Sequence, residues 1–299
     1  MLAGSTTTAE IVTVDVPTGI GLVGALAARA RGRRHVSLVM DLYQFQGHAR
    51  VRNGQALRRF VDRLSLRSAG KIVTLGDCMS ARVRAISGRS SVALPIWQDP
   101  TELRETEATA LRVQLGIAET TRVVLYSGHA GAQHPLLQIA GAIVDLPDFM
   151  DVLFVVAAHG TNAQLVARAY EGSARVRMIP AVPRARVSEL LSLGDLHVVS
   201  LSDDATGTCV PSKTYAAMAA SRPVLYVGSS QGQAAADVIR ANAGAVVDLD
   251  RDAIATTLML MLSDPGALRK MGEAGRAFLV SERSDLIQAI RWRELVEAN

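Results

Sequence analysis

The residues best placed to do chemistry lie in one stretch, Val199 to Gly228, which reads VSLSDDATGTCVPSKTYAAMAASRPVLYVG. Its apolar approach, Val198 to Leu201, predicts a buried strand, and a polar loop of turn formers follows. Pro211 suits the first turn of a short helix, Ser212 to Ala220, because its missing N–H would have no partner there. Arg222-Pro223 ends that helix, since the residue before a proline is pushed out of the α region. Val224 to Val227 is the next strand. This is one β-loop-α-β unit of a parallel sheet, with its loop at the carboxyl ends of the strands, where open α/β sheets hold ligands. Free amides at a helix start favour an anion, and Ser212 and Lys213 would add a hydroxyl and an ammonium. The same two residues also read as a plain helix cap and a solvated charge.

Other strand ends offer lesser candidates. Ser127-Gly128-His129-Ala130-Gly131 follows an expected strand at Val123 to Tyr126, and His134 opens the helix after it. Glycines there let backbone amides approach a phosphate closely, although a tight turn explains them too. Ala158-His159-Gly160-Thr161 and Ile179-Pro180-Ala181-Val182 follow two further strands and, taken alone, are ordinary turns. Asp41 stands at the carboxyl end of a strand at Val36 to Met40, a functional location in such a sheet.

The elements that must position these residues alternate along the whole chain. Strands are expected at Ile11 to Val14, Val36 to Met40, Ile72 to Leu75 and Val92 to Leu94. Six more follow, near Val123, Val152, Val176, Leu196, Val224 and Ala245. Helical segments separate them, including one capped by Asp77, and this alternation marks parallel sheets covered by helices. Met1 to Ala9 is polar and expected to fray. The 299 residues, 49% of them apolar and 20% charged, suffice for two modest domains and exclude a disordered chain. No apolar run is long enough to span a bilayer and no signal peptide is recognisable, so the cytoplasm is the expected address. Cys78 and Cys209 are far apart in sequence and predict neither a disulfide nor a metal site.

Charge is uneven. Residues 1–104 hold 15 Lys and Arg against 7 Asp and Glu, whereas residues 105–299 hold 17 against 21. The basic first part suggests an anionic partner, and the low aromatic content of 4% argues against nucleic acid. An arginine-rich composition without any such partner is the alternative.

VPSKTYAAMAASRPVLYVG resembles the nucleotide-sugar half of family 4 glycosyltransferases with the GT-B fold, in particular bacterial enzymes of exopolysaccharide, O-antigen and colanic acid assembly. Ser221 stands where that pattern usually has Gly. YSGHAGAQHPL, AGAVVDLD and DPGALRKMGEAGRAFL extend the resemblance, and VMDLYQFQG and LPIWQDP look like altered copies of earlier family segments. The resemblance implies an α/β fold of two Rossmann-like, doubly wound parallel-sheet domains. These would be an incomplete acceptor-side domain over 1–104 and a nucleotide-sugar domain over 105–283. A terminal helix over 284–299 would pack back on the first.

It also implies a UDP- or GDP-linked sugar donor, no cofactor and no metal. Contacts to the donor would come from Gly128, His129, Gly131, Ile179, Thr208, Cys209, Val210, Pro211, Ser212 and Lys213. Lys213, His134 and Asp41 are the residues expected to serve catalysis. The acceptor would be lipid-diphosphate-linked or a glycan, with an anionic membrane face as a possible second partner. Two departures matter. The family's paired glutamates, eight positions apart, fall here on Thr208 and Ala216, and Met40 precedes Asp41 where a His is common. The first domain also lacks an opening strand with a Gly-rich loop, which implies truncation or a partner chain that supplies it. A nucleotide-sugar-binding subunit without activity is therefore the rival reading; a GT-B epimerase or phosphorylase is disfavoured because it lacks the VPSK pattern.

Overall fold

A computed structural model describes residues 10–15, 18–45 and 54–297. Met1 to Ala9, the Val16-Pro17 part of the first loop and Gln46-Gly47 of the VMDLYQFQG segment lie outside these residues. The chain divides into two compact units, one formed by residues up to Ile96 together with Asp204–Val210, the other by Trp97–Asp203 and Pro211 onward.

The first unit contains β1 (Glu10–Val14), α1 (Ile20–Ala30), β2 (Arg34–Val39), α2 (Gln55–Ser68), β3 (Lys71–Thr74), α3 (Asp77–Ser87) and β4 (Val92–Ala93). Its sheet is parallel throughout, in the order β1-β2-β3-β4. Right-handed crossovers between strands that always step the same way place all three helices on one face. Asp77 does not cap α3 as expected. It is the first helical residue, and the cap position falls to Gly76, without a side-chain bond. The Ser65 to Leu66 side of α2 is buried, whereas Leu57, Phe60 and Leu64 lie exposed on the opposite face with Arg63 and Arg67.

The second unit opens with α4 (Thr109–Gln114), which the sequence pattern did not predict. There follow β5 (Arg122–His129), α5 (Leu136–Val144), β6 (Val152–His159), α6 (Thr161–Ala169), β7 (Val176–Met178) and α7 (Val187–Leu193). The chain continues through β8 (Leu196–Ser200), α8 (Lys213–Ala219), β9 (Val224–Val227), α9 (Gln233–Arg240) and β10 (Gly244–Val247), and ends in α10 (Arg251–Leu262), α11 (Pro265–Glu282) and α12 (Asp285–Glu297). All six strands are parallel, in the order β10-β9-β8-β5-β6-β7. Period-two alternation sends Val124 and Tyr126 of β5 to one face, against Leu136, Ile139 and Leu258. Val123 and Leu125 go to the other, against Leu111, Leu190 and Leu193.

Helix ends follow local chemistry. Asp250 and Asp264 accept hydrogen bonds from the amides of Ala253 and Ala267, and Pro265 occupies the first turn of α11. Helix α8 is one residue shorter at each end than expected. Ser221, in the place of the family's glycine, is held at φ 54°, the left-handed region. Gly272 of α11 sits directly over it, where a Cβ would come within 2.0 Å of the Ser221 carbonyl oxygen.

Candidate functional site

Strand order reverses between β8 and β5, so the loops after these two strands diverge and leave a crevice at their carboxyl ends. Strand β5 runs further than its apolar core suggests. Gly128 and His129 belong to the strand, paired in register with Ala158 and His159, and are not loop residues. The loop proper is Ala130 to Pro135, and α5 begins at Leu136, two residues beyond His134. It is tied down by main-chain polar groups. The Asn162 amide donates to the carbonyls of Gly131 at 2.9 Å and His134 at 2.6 Å, and the Ser202 amide donates to Gln133.

Lys213 reaches this loop from α8. Its Nζ lies 2.8 Å from the Tyr126 hydroxyl, 4.3 Å from the centre of that ring, and donates to the His129 carbonyl. The solvated-charge reading of Lys213 therefore fails: the ammonium is held against β5. Burial pushes the Tyr126 phenol well above its ordinary value, so it stays protonated and donates to the His129 carbonyl at 3.1 Å. Gly128, at φ +94°, passes close enough that a Cβ would lie 3.7 Å from the lysine Cε.

His134 is placed differently from a cationic catalyst. It is buried, its Nδ1 donates to the Ser200 carbonyl, and burial, then Lys213, pushes it down to about 4. It is a neutral clasp between the two diverging loops. Lys213 brings an ammonium to this crevice, and the rings of His129 and His159 lie 5.2 Å apart at the ends of the paired strands.

The remaining expected contacts fall in both units. Pro211 is buried and Ser212 exposed beside Lys213, with no capping bond from the serine. Ile179 is core: its amide bonds the Val156 carbonyl and its side chain joins the cluster around Leu190 and Leu193. Thr208, Cys209 and Val210 belong to the first unit. The Thr208 hydroxyl is spent on the Ala205 carbonyl at 2.7 Å, and its own carbonyl accepts from the Leu42 amide. Neither Thr208 nor Ala216 supplies a carboxylate.

Asp41 lines a separate cavity of about 570 Å³ within the first unit. Burial pushes Asp41 up to about 6, against the opposing hydrogen bond from Tyr43. Asp15 and Asp62, which the sequence pattern did not single out, line the same cavity with Thr18, Gln44 and Arg58. Both are raised chiefly by burial, and Asp15 accepts from Ser37 at 2.5 Å and Thr13 at 3.1 Å. Such a lining is suited to hydroxyl hydrogens, and a carboxyl near 6 can exchange a proton with one near neutral pH.

A second unforeseen group lies under α8. Asp237, from α9, accepts from Tyr215 at 2.8 Å and, through its two oxygens, from Nη2 and Nε on one edge of the Arg283 guanidinium at 2.8 and 3.0 Å, with Gln233 at 3.2 Å. Asp237, Arg283 and Tyr215, three of these four, are nearly sealed from solvent. The cluster anchors Tyr215, two residues beyond Lys213.

Parallel six-stranded topology with its order reversed between β8 and β5 defines a doubly wound α/β domain. The family described as glycosyl transferases group 1 matches residues 107–278, and the chain belongs to it. The putative colanic acid biosynthesis glycosyl transferase WcaI of Escherichia coli is 24% identical over 158 residues, 51% of this chain. That alignment spans 39% of the relative's own length. Among solved structures, sucrose-phosphate synthase from Thermosynechococcus elongatus superposes with a TM-score of 0.78 at 17% identity, over 97% of this chain and 74% of that one. HepE of Anabaena, in complex with UDP-glucose, gives 0.79 at 14%, over 97% and 79%. The fold is GT-B, as the sequence resemblance implied.

Proposed function

We propose that the chain takes part in transfer of a sugar from a UDP- or GDP-linked donor to a lipid-linked or glycan acceptor, with retention at the anomeric carbon. The observation that carries this is Lys213, an ammonium fixed against Tyr126 and His129 at the strand reversal of a group 1 glycosyl transferase domain. The leaving diphosphate gathers negative charge as the glycosidic bond breaks, so a fixed positive group beside it lowers the barrier more than a strong nucleophile would. Loop amides near Gly128 and Gly131 would share that load, and His134 would hold the loop in place. The HepE structure with UDP-glucose supports a nucleotide-sugar donor.

The acceptor hydroxyl would enter the Asp15, Asp41 and Asp62 cavity. This favours a neutral, hydroxyl-rich group there over the acceptor's diphosphate. The acceptor's anionic part would instead follow the basic outer surface of the first unit, on the cytoplasmic face of a membrane. Val23 and Leu26 of α1 and Phe60 of α2 are 65%, 59% and 60% exposed, and Arg63 and Arg67 share the outer face of α2. Apolar side chains mixed with arginines suit the headgroup region of an anionic bilayer. No helix among the described residues is long and apolar enough to cross one.

The missing carboxylates at Thr208 and Ala216 favour a second reading, in which the chain binds the nucleotide sugar without turning it over. Incubating the full chain with UDP-glucose or GDP-mannose and a lipid-linked acceptor separates the two. Product with retained configuration supports transfer, and binding without product supports the second reading.

A further inference from the structure

His129 and His159 end neighbouring parallel strands in register, and both are exposed. The His129 ring rests over two glycines. A Cβ at Gly131 would come within 2.6 Å of its Nε2, and one at Gly160 within 3.0 Å of its Cε1. Two positions thus leave room for one imidazole. Titratable groups come to this strand end from several elements, while Arg177 of β7, the other neighbour of β6, is turned to the Leu115 carbonyl. Strand β5 brings Tyr126 and His129, its loop His134, β6 His159 and α8 Lys213. The loop after β8 brings Asp203, next to Ser202, whose amide binds Gln133. Helix α6 contributes only Arg168, at its far end, and no acidic residue lies in 122–135 or 152–162.

Without an anion, a charge on the His129 ring is opposed by its neighbours across the strand pair and on α8. His129 is held below its ordinary value by burial, then by His159 and Lys213. A diphosphate beside them reverses the balance, because each imidazole then gains an anionic partner on taking a proton. We propose that His129 and His159 form a proton-taking clamp for the donor diphosphate, so that the nucleotide sugar binds with uptake of a proton from solvent. No covalent bond changes: the proton adds to a ring nitrogen and leaves again with the ligand. The inference rests on the donor reading above. Its sign follows from linkage, since a complex that binds more protons than its free components is favoured as pH falls. His134 does not contribute between pH 6 and 8, being pushed down to about 4.

The test is calorimetry of the full chain with UDP-glucose, and in parallel GDP-mannose, whose diphosphates hold no proton across this range. Affinity should be at least about fivefold higher near pH 6 than near pH 8, with proton uptake seen as a buffer-dependent heat. His159→Gln should flatten this dependence, while Lys213→Ala should weaken binding at both pH values and keep the slope. Tryptophan-fluorescence melts confirm that each variant is folded. Equal wild-type affinity at both pH values, or an unchanged slope in His159→Gln, overturns the clamp and leaves the donor reading standing. If neither nucleotide sugar binds at either pH, the donor reading falls and the clamp with it.

Discussion

Removing the guanidinium under α8 tests how the second unit holds its site. In Arg283→Met the Asp237 carboxylate, 1% exposed, keeps Tyr215 and Gln233 as donors but loses its counter-charge. Methionine still fills the space beside Phe278, which the guanidinium carbon approaches to 5.1 Å of its ring centre. Breaking one side of a buried pair costs about 3–5 kcal/mol, and the two remaining neutral donors place this case near the lower end. In a unit of this size that lowers the melting midpoint by about 6–12 °C. The assay is specific, because both tryptophans, Trp97 and Trp292, belong to the second unit. Fluorescence-monitored urea and thermal unfolding therefore reports that unit. The double variant Asp237→Leu/Arg283→Met should recover part of the loss, since no charge is left buried, while the stranded Tyr215 hydroxyl still costs about 1–3 kcal/mol. A single variant within about 1 kcal/mol of wild type, or a double variant less stable than the single, would refute this account.

Four further outcomes follow from the same geometry. Lys213→Ala should weaken UDP-glucose binding by about 1–3 kcal/mol, as calorimetry would read it; equal affinity would remove the lysine from the donor site. His134 and His197 are both pushed down to about 4 by burial, so the unfolded chain binds protons there that the folded chain refuses. Stability of the second unit should fall as pH drops from about 6.5 towards 4, and His197→Gln should shallow that fall in urea midpoints. Ser221→Gly should stabilise by about 1 kcal/mol, because φ 54° strains a side chain that glycine lacks, and an unchanged unfolding midpoint would count against that strain. Pelleting with phosphatidylglycerol vesicles should occur at low salt, fade at high salt and weaken in Phe60→Ser; no pelleting in either condition would sink the membrane reading.

Much of the fold was legible because parallel strands buried on both faces are continuous apolar runs. Val123 to Tyr126 and Val224 to Val227 could hardly be anything else. Errors fell where that signal thins. Strand β5 continues through Ser127, Gly128 and His129, which look like a loop but pair fully with β6. Helix α4 is only six residues, shorter than two turns, with Leu111 as its one buried residue. Such elements are set by tertiary packing, which overrides weak local preference.

The site was legible in its loops and not in its supports. Lys213 stood out because a proline, a serine and a lysine open a helix beside a strand end, and that juxtaposition is local. What makes the lysine more than a surface charge is not local. Tyr126 lies 87 positions earlier and offers its hydroxyl at 2.8 Å. Asp237 and Arg283 hold Tyr215 from 22 and 68 positions away, and nothing in their own neighbourhoods marks them as buried. Asp15 and Asp62 share a cavity with Asp41 for the same reason: parallel crossovers return the chain to one sheet edge every few tens of residues. A motif thus names a candidate group at a strand end. The residues that fix its charge and orientation come from strand order, which sequence spacing alone does not encode.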